Sequence, residues 1–116
     1  MIEAIQIGNI TVNMKATANT PRKYRALFNK DLILEMGAFM EHLDKKTGEF
    51  DTQVDFGFIE RLAYVMASQC DPNIGSIDDW LDQFGIEDIY SALPEIIGMW
   101  NKSKQTIATP KKNTEN

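Results

Sequence analysis

The feature that most constrains this chain is a change of hydrophobic period near residue 18. Glu3-Ala4-Ile5-Gln6-Ile7 and Ile10-Thr11-Val12-Asn13-Met14-Lys15 alternate polar and apolar residues on either side of Gly8-Asn9. Period 2 flanking a Gly-Asn pair predicts a β-hairpin with a tight turn. From Thr20 onward the apolar residues recur at helical spacing instead. Two strands alone are marginal in water. One hairpin face, drawn from Ile5, Ile7, Ile10, Val12 and Met14, must therefore lie on the helical body or on another subunit's sheet. The expectation is an α+β fold, mainly α, with an N-terminal hairpin followed by four or five helices. A chain of 116 residues suits one domain. We place it at 1–103, with the hairpin in 1–17 and the helical body in 20–103. Residues 104–116 read as a polar, disordered tail, too poor in hydrophobes to offset ordering entropy.

Punctuation along the helical body is explicit. Thr20 is placed to cap the first helix and Pro21 suits its first turn. Tyr24, Leu27 and Phe28 follow at i, i+3 and i+4 as one apolar stripe, and Asn29 tolerates the left-handed conformation that ends a helix. Asp31 is the cap of the second helix, whose stripe is Leu32, Met36, Phe39, Met40 and Leu43. Gly37 within it costs about 1 kcal/mol against alanine, which suggests close packing by a neighbouring helix. A charged loop around Gly48 leads to a third helix over 54–70, with Phe58, Ile59, Leu62, Val65 and Met66 inward. After the turn Asp71-Pro72-Asn73-Ile74-Gly75, Ser76-Ile77-Asp78-Asp79 resembles a capping box that starts a helix ending at Gly85. Ile86, Ile89, Tyr90, Leu93, Ile97 and Trp100 continue on one face, with a break or kink at Pro94.

Charge is segregated. The formal total is −5. Residues 1–30 hold five bases against Glu3, residues 31–95 hold fifteen acids against Lys45, Lys46 and Arg61, and residues 96–116 hold four lysines against Glu115. The net charges are thus +4, −12 and +3. Such a layout suits a dipolar molecule whose basic end meets the acidic body of another copy or a partner, although charge runs also serve as solvated faces. It does not suit an all-round basic nucleic-acid binder. No run of about 18 apolar residues is present, so no membrane span is expected. Met1-Ile2-Glu3 opens without the basic and apolar regions of a secretory leader. Cys70, the lone cysteine, has no internal disulfide partner and fits a reducing cytoplasm.

Catalytic constellations are missing from the pattern. His42 is the sole histidine and has no nucleophile or second acid–base group in a recognisable motif, so it reads as a surface or boundary residue. Cys70 is followed directly by Asp71, an unsuitable setting for a thiolate, and reads as a buried structural thiol. The loop from Asp44 fails the calcium-loop spacing, because Lys46 falls at a ligand position. Asp78, Asp79, Asp82, Glu87 and Asp88 lie in the first turns of helices, where acids favour the dipole. No phosphate loop or paired CxxC exists. We expect no enzyme, no cofactor and no metal. In Arg22-Lys23-Tyr24-Arg25-Ala26-Leu27-Phe28 the aromatics share the apolar stripe, which points to core or interface rather than nucleic acid, while Arg22 and Arg25 share an exposed edge.

Thr20-Pro21-Arg22-Lys23-Tyr24-Arg25-Ala26-Leu27-Phe28-Asn29-Lys30-Asp31-Leu32 resembles the signature of small tail assembly chaperones from long-tailed, siphovirus-type phages and prophages of Gram-positive bacteria. Tyr24, Phe28, Lys30 and Asp31 match it, and Asn29 stands where the family often has glycine. The resemblance implies a non-catalytic helper in viral morphogenesis. It would bind the tape measure protein, keep it in solution until the major tail tube protein polymerises around it, and be absent from the mature virion. It also implies the host bacterial cytoplasm, a homo-oligomer and, in many members, a longer form made by ribosomal frameshift, which Lys111-Lys112-Asn113 could encode as AAA AAA AAC. Tyr24, Arg22, Arg25, Phe28, Lys30 and Asp31 are the candidate self-association or partner residues. A small cytoplasmic phage or bacterial adaptor or regulatory domain is the alternative.

Overall fold

The computed structural model describes residues 2–104. The expected tail beyond Lys104 lies outside them. Strands β1 (Ile2–Ile7) and β2 (Ile10–Lys15) pair antiparallel, with Ile5 opposite Val12 and Ile7 opposite Ile10. Gly8 takes φ 59 while Asn9 keeps a negative φ, the sign pattern of a type II′ turn, which requires glycine at its first central position. This register puts Ile5, Ile7, Val12 and Met14 on one buried face, with Ile10 half-buried. The face lies on the chain's own helices.

The helical body comprises α1 (Asn19–Phe28), α2 (Leu32–Glu41), α3 (Gly57–Ser68), α4 (Ile77–Leu81), α5 (Asp88–Ser91) and α6 (Leu93–Lys102). Helix α3 is the hub, touching β2, α1, α2, α4 and α5. Phe58, Ile59 and every residue from Leu62 to Ala67 are buried. A helix apolar on nearly all sides belongs at the centre, and each large side chain withdrawn there contributes about 1.5–3 kcal/mol. It starts three residues later than the 54–70 pattern suggests. No helix of the described residues is long and apolar enough to cross a membrane.

Several local expectations need correction. Thr20 is not the N-cap of α1 but a fully buried first-turn residue; Ala18 holds the cap position without a side-chain bond. Its hydroxyl accepts the Thr17 N–H at 2.9 Å and donates to Gln69, stitching the helix start to the end of α3. Pro21 remains harmless, since first-turn N–H groups have no helical partner. Leu27 leaves the apolar stripe and is 52% exposed, whereas Tyr24 is fully buried. Gly37 is not pressed by a neighbour: a Cβ built there meets nothing within 4 Å.

The last helical stretch is divided. Pro94 sits in the first turn of α6, so a separate α5 precedes it. The break rotates the apolar face. Ile89, Ala92, Ile96, Met99 and Trp100 point inward, while Ile86 is 94% exposed and Tyr90 lies at the surface. Expected caps elsewhere hold: Leu34 N–H donates to Asp31 Oδ1 at 2.9 Å, and Asp79 N–H to Ser76 Oγ at 3.1 Å.

Candidate functional site: an α1–α2 corner beside an open groove

The chain between α1 and α2 turns on Asn29, at φ 55 and ψ 40, with its N–H donated to Arg25 O at 2.8 Å. Asparagine tolerates this left-handed geometry better than most residues, which explains its place between the two helices. Asp31 then caps α2. Tyr24 is the inner post of the corner, packed edge-on against Phe28 at 5.1 Å and tilted against Phe58 at 6.2 Å. Phe28 continues to Tyr64 at 6.4 Å, and Tyr64 to Trp80 at 5.7 Å. These aromatic contacts run from α1 across α3 to α4.

At the outer end of Tyr24 stands a polar cluster. The phenol donates to Glu35 Oε1 and accepts from Arg61 Nε at 2.8 Å. Arg61 also pairs with Asp55 Oδ2 at 2.9 Å and Glu35 Oε1 at 3.4 Å, and Lys30 lies 3.8 Å from Glu35 Oε2. Burial, then the bond to Glu35, pushes the phenol's pKa well above its ordinary value, so it stays a proton donor. Burial works against the Arg61 charge, but the bonds to Tyr24 and Asp55 outweigh it and hold its pKa above normal. The Arg61 guanidinium holds the Asp55 carboxyl below the usual range.

The structure thus brings together Tyr24, Phe28, Lys30 and Asp31 at one corner. Arg22 and Arg25 are exposed and make no ion pair among the described residues. Three residues of the cluster, Glu35, Asp55 and Arg61, are absent from the sequence-based candidates. Arg61 carried a signal: it is a lone arginine among inward residues of α3, in a segment of net charge −12.

Beside the corner, between α1 and the 71–75 turn, lies an open groove of about 820 Å³. Leu27, Tyr64, Pro72 and Ile74 supply apolar surface, and Lys15, Lys23 and Asp71 line it as well, two bases against one acid. The Tyr64 hydroxyl donates to Gly75 O and holds the turn against α3. A smaller groove of about 480 Å³ between β2 and α4 contains Val12, Cys70, Ile74 and Trp80. Cys70 is half-buried there rather than enclosed, because α3 ends two residues before it.

His42 Nδ1 lies 2.8 Å from Asp51 Oδ2, and its carbonyl accepts the Asp51 N–H at 3.0 Å. The pair closes the base of the 43–50 loop. It clasps the two ends of that loop together. Among the described residues no three His, Cys, Asp or Glu side chains gather closely enough to hold a metal ion. Asp88 is committed to structure: its Oδ2 accepts the Gly85 N–H at 2.7 Å while lying over Gly8.

Comparison with protein families, with curated proteins and with solved structures finds no match.

Proposed function

We propose that the chain is a non-catalytic protein-binding factor, and within that class a phage tail assembly chaperone. The reading is supported by how the Tyr24–Asp31 segment is used. Every residue matching the family signature has a structural task at the corner: Tyr24 and Phe28 pack, Lys30 faces Glu35, and Asp31 caps α2. Asn29 fills the left-handed position where the family often carries glycine, a residue equally suited to it.

The observation that carries the proposal is the groove next to this corner. Leu27 is half-exposed at its edge, outside the packed face that Tyr24 and Phe28 turn inward. An apolar helical segment of the tape measure protein, with acids at its flank, would cover Leu27, Tyr64 and Ile74 and meet Lys15 and Lys23. Binding there keeps the tape measure protein from aggregating until the major tail tube protein displaces the chaperone. On this reading the protein acts in the host bacterial cytoplasm and is left out of the virion. Self-association is part of the same proposal, and a longer frameshifted form would carry the same domain.

Co-expression with the tape measure protein from the adjacent gene is the test. The pair should co-purify, and Leu27→Glu should abolish capture while the circular dichroism spectrum stays unchanged. A wild-type chain that neither captures nor solubilises that protein overturns the proposal.

A further inference from the structure

Strand β2 leaves one row of backbone groups unused. Ile7 and Ile10 flank a two-residue turn and so form a hydrogen-bonded pair. The alternation of an antiparallel ladder makes Ile5–Val12 and Glu3–Met14 the next such pairs. The N–H and C=O groups of Thr11 and Asn13 therefore point away from β1, and they have no backbone partner among the described residues. Such an edge is normally blunted by charge, proline or a bulge. Residues 10–14 carry none of these, and their register with β1 runs unbroken. Strand β1 by contrast carries Glu3, paired with Lys102 of α6 at 2.9 Å.

The groove of about 480 Å³ lies along this edge. Residues 10–13 all line it, although Val12 is buried on the core face while Thr11 and Asn13 face solvent. Residues from both faces of a strand border one space when that space lies beside the strand. Cys70, Ile74 and Trp80 form the apolar far wall, and Asp71 is the one charged residue in the lining. We propose that β2 receives an extended segment of a partner polypeptide as a third strand in this groove. The backbone groups of Thr11 and Asn13 offer it four hydrogen bonds, and alternate side chains of the added strand turn toward the apolar wall. Asp71 selects a lysine or arginine at the strand's end by charge. A strand rises about 3.4 Å per residue, so the edge takes about four residues of the partner. The occupant is thus extended, apolar at every second position and basic, unlike the acid-flanked helix proposed for the Leu27 groove. The inference does not rest on the tail-assembly reading.

Amide hydrogen exchange on the full chain, read by nuclear magnetic resonance, tests the inference. The probe is the capped synthetic peptide Lys-Val-Thr-Val-Thr-Val-Lys at millimolar concentration. It should slow exchange at Thr11 and Asn13 by about tenfold or more, and leave Ala4 and Gln6, on the outer edge of β1, unchanged. Two further peptides carry N-methyl groups on alternate residues, so that each has one hydrogen-bonding edge blanked. One should bind like the parent and the other should fail. Asn13→Pro removes an outward donor and spares the bonds to β1, since an edge strand tolerates proline. It should abolish peptide binding with the circular dichroism spectrum unchanged. If that variant does not fold, the methylated pair decides on the natural chain. No protection at Thr11 and Asn13 overturns the inference, as does equal binding of the two methylated peptides. Protection confined to Ala4 and Gln6 overturns it in favour of the other edge. Protection of Thr11 and Asn13 that grows with protein concentration in the absence of peptide overturns it in favour of a second copy.

Discussion

Tyr24→Phe isolates the polar cluster from the packing around it. The ring, with its contacts to Phe28 and Phe58, is retained, and one hydroxyl is removed. Arg61 Nε then loses its acceptor at 2.8 Å and Glu35 loses a donor. The two charged side chains are only 18% and 23% exposed, so water replaces the hydroxyl incompletely. Arg61 keeps Asp55 at 2.9 Å, which limits the loss. Hydrogen bonds to charged groups contribute about 1.5–3 kcal/mol, and the retained ion pair places the expected cost near about 2 kcal/mol. For a domain of this size that is about 10 °C in Tm. Urea and thermal unfolding followed by circular dichroism measure it. The control is Tyr90→Phe, which removes an exposed hydroxyl bonded to Glu60 and should cost about 0.5 kcal/mol or less. Equal losses for the two variants would refute the view that the Tyr24 cluster braces the α1–α2 corner.

Gly37→Ala should raise stability by about 1 kcal/mol, measured by urea unfolding, because the added methyl meets nothing and the helix gains propensity. Gly8→Ala should destabilise by about 2 kcal/mol or more: φ is positive, and the new Cβ would lie 2.3 Å from Asp88 Oδ2. Thermal melts should show partial relief in Gly8→Ala/Asp88→Ala. Asp55, held below its ordinary value of 3.8, contributes stability that is present above that pH and lost below it, so Asp55→Asn should flatten the acid limb of a Tm–pH profile. The Tyr24 phenol is shifted the other way. Its contribution is complete below pH 10 and is lost as pH rises through the raised folded value, so ultraviolet titration of the folded protein should lose its latest-ionising tyrosine in Tyr24→Phe.

Local signals were legible wherever a residue's own chemistry decides the outcome. The Gly8-Asn9 turn, the left-handed Asn29, and the Asp31 and Ser76 caps all involve bonds within four residues in sequence. Thr20 illustrates the limit. A threonine before Pro21 has the features of a cap, but its hydroxyl is drawn into a bond with Gln69, 49 residues away. The candidate site divided in the same way. Tyr24, Phe28, Lys30 and Asp31 could be singled out along the chain, while Glu35, Asp55 and Arg61 become partners only when α2 and α3 are laid together. Periodicity marks a stripe but does not say which part of it faces inward, and so Leu27, Ile86 and Tyr90, each placed on an apolar stripe, emerged at the surface.

By itself the sequence determined a hairpin joined to a helical body, the main punctuation between its elements, and the segregation of charge. These follow from turn chemistry, capping and apolar spacing, which act over a few residues. Only the tertiary structure decided that α3 is the hub, that Tyr24 and Arg61 form one part-buried cluster, that Pro94 rotates the last apolar face, and that α2 is left with an uncovered side. Those outcomes depend on which surfaces remain after every other element has found its place. The notch at Gly37 shows the difference best: in the sequence it is a costly residue in a helix, and in the fold it is open space beside an exposed leucine.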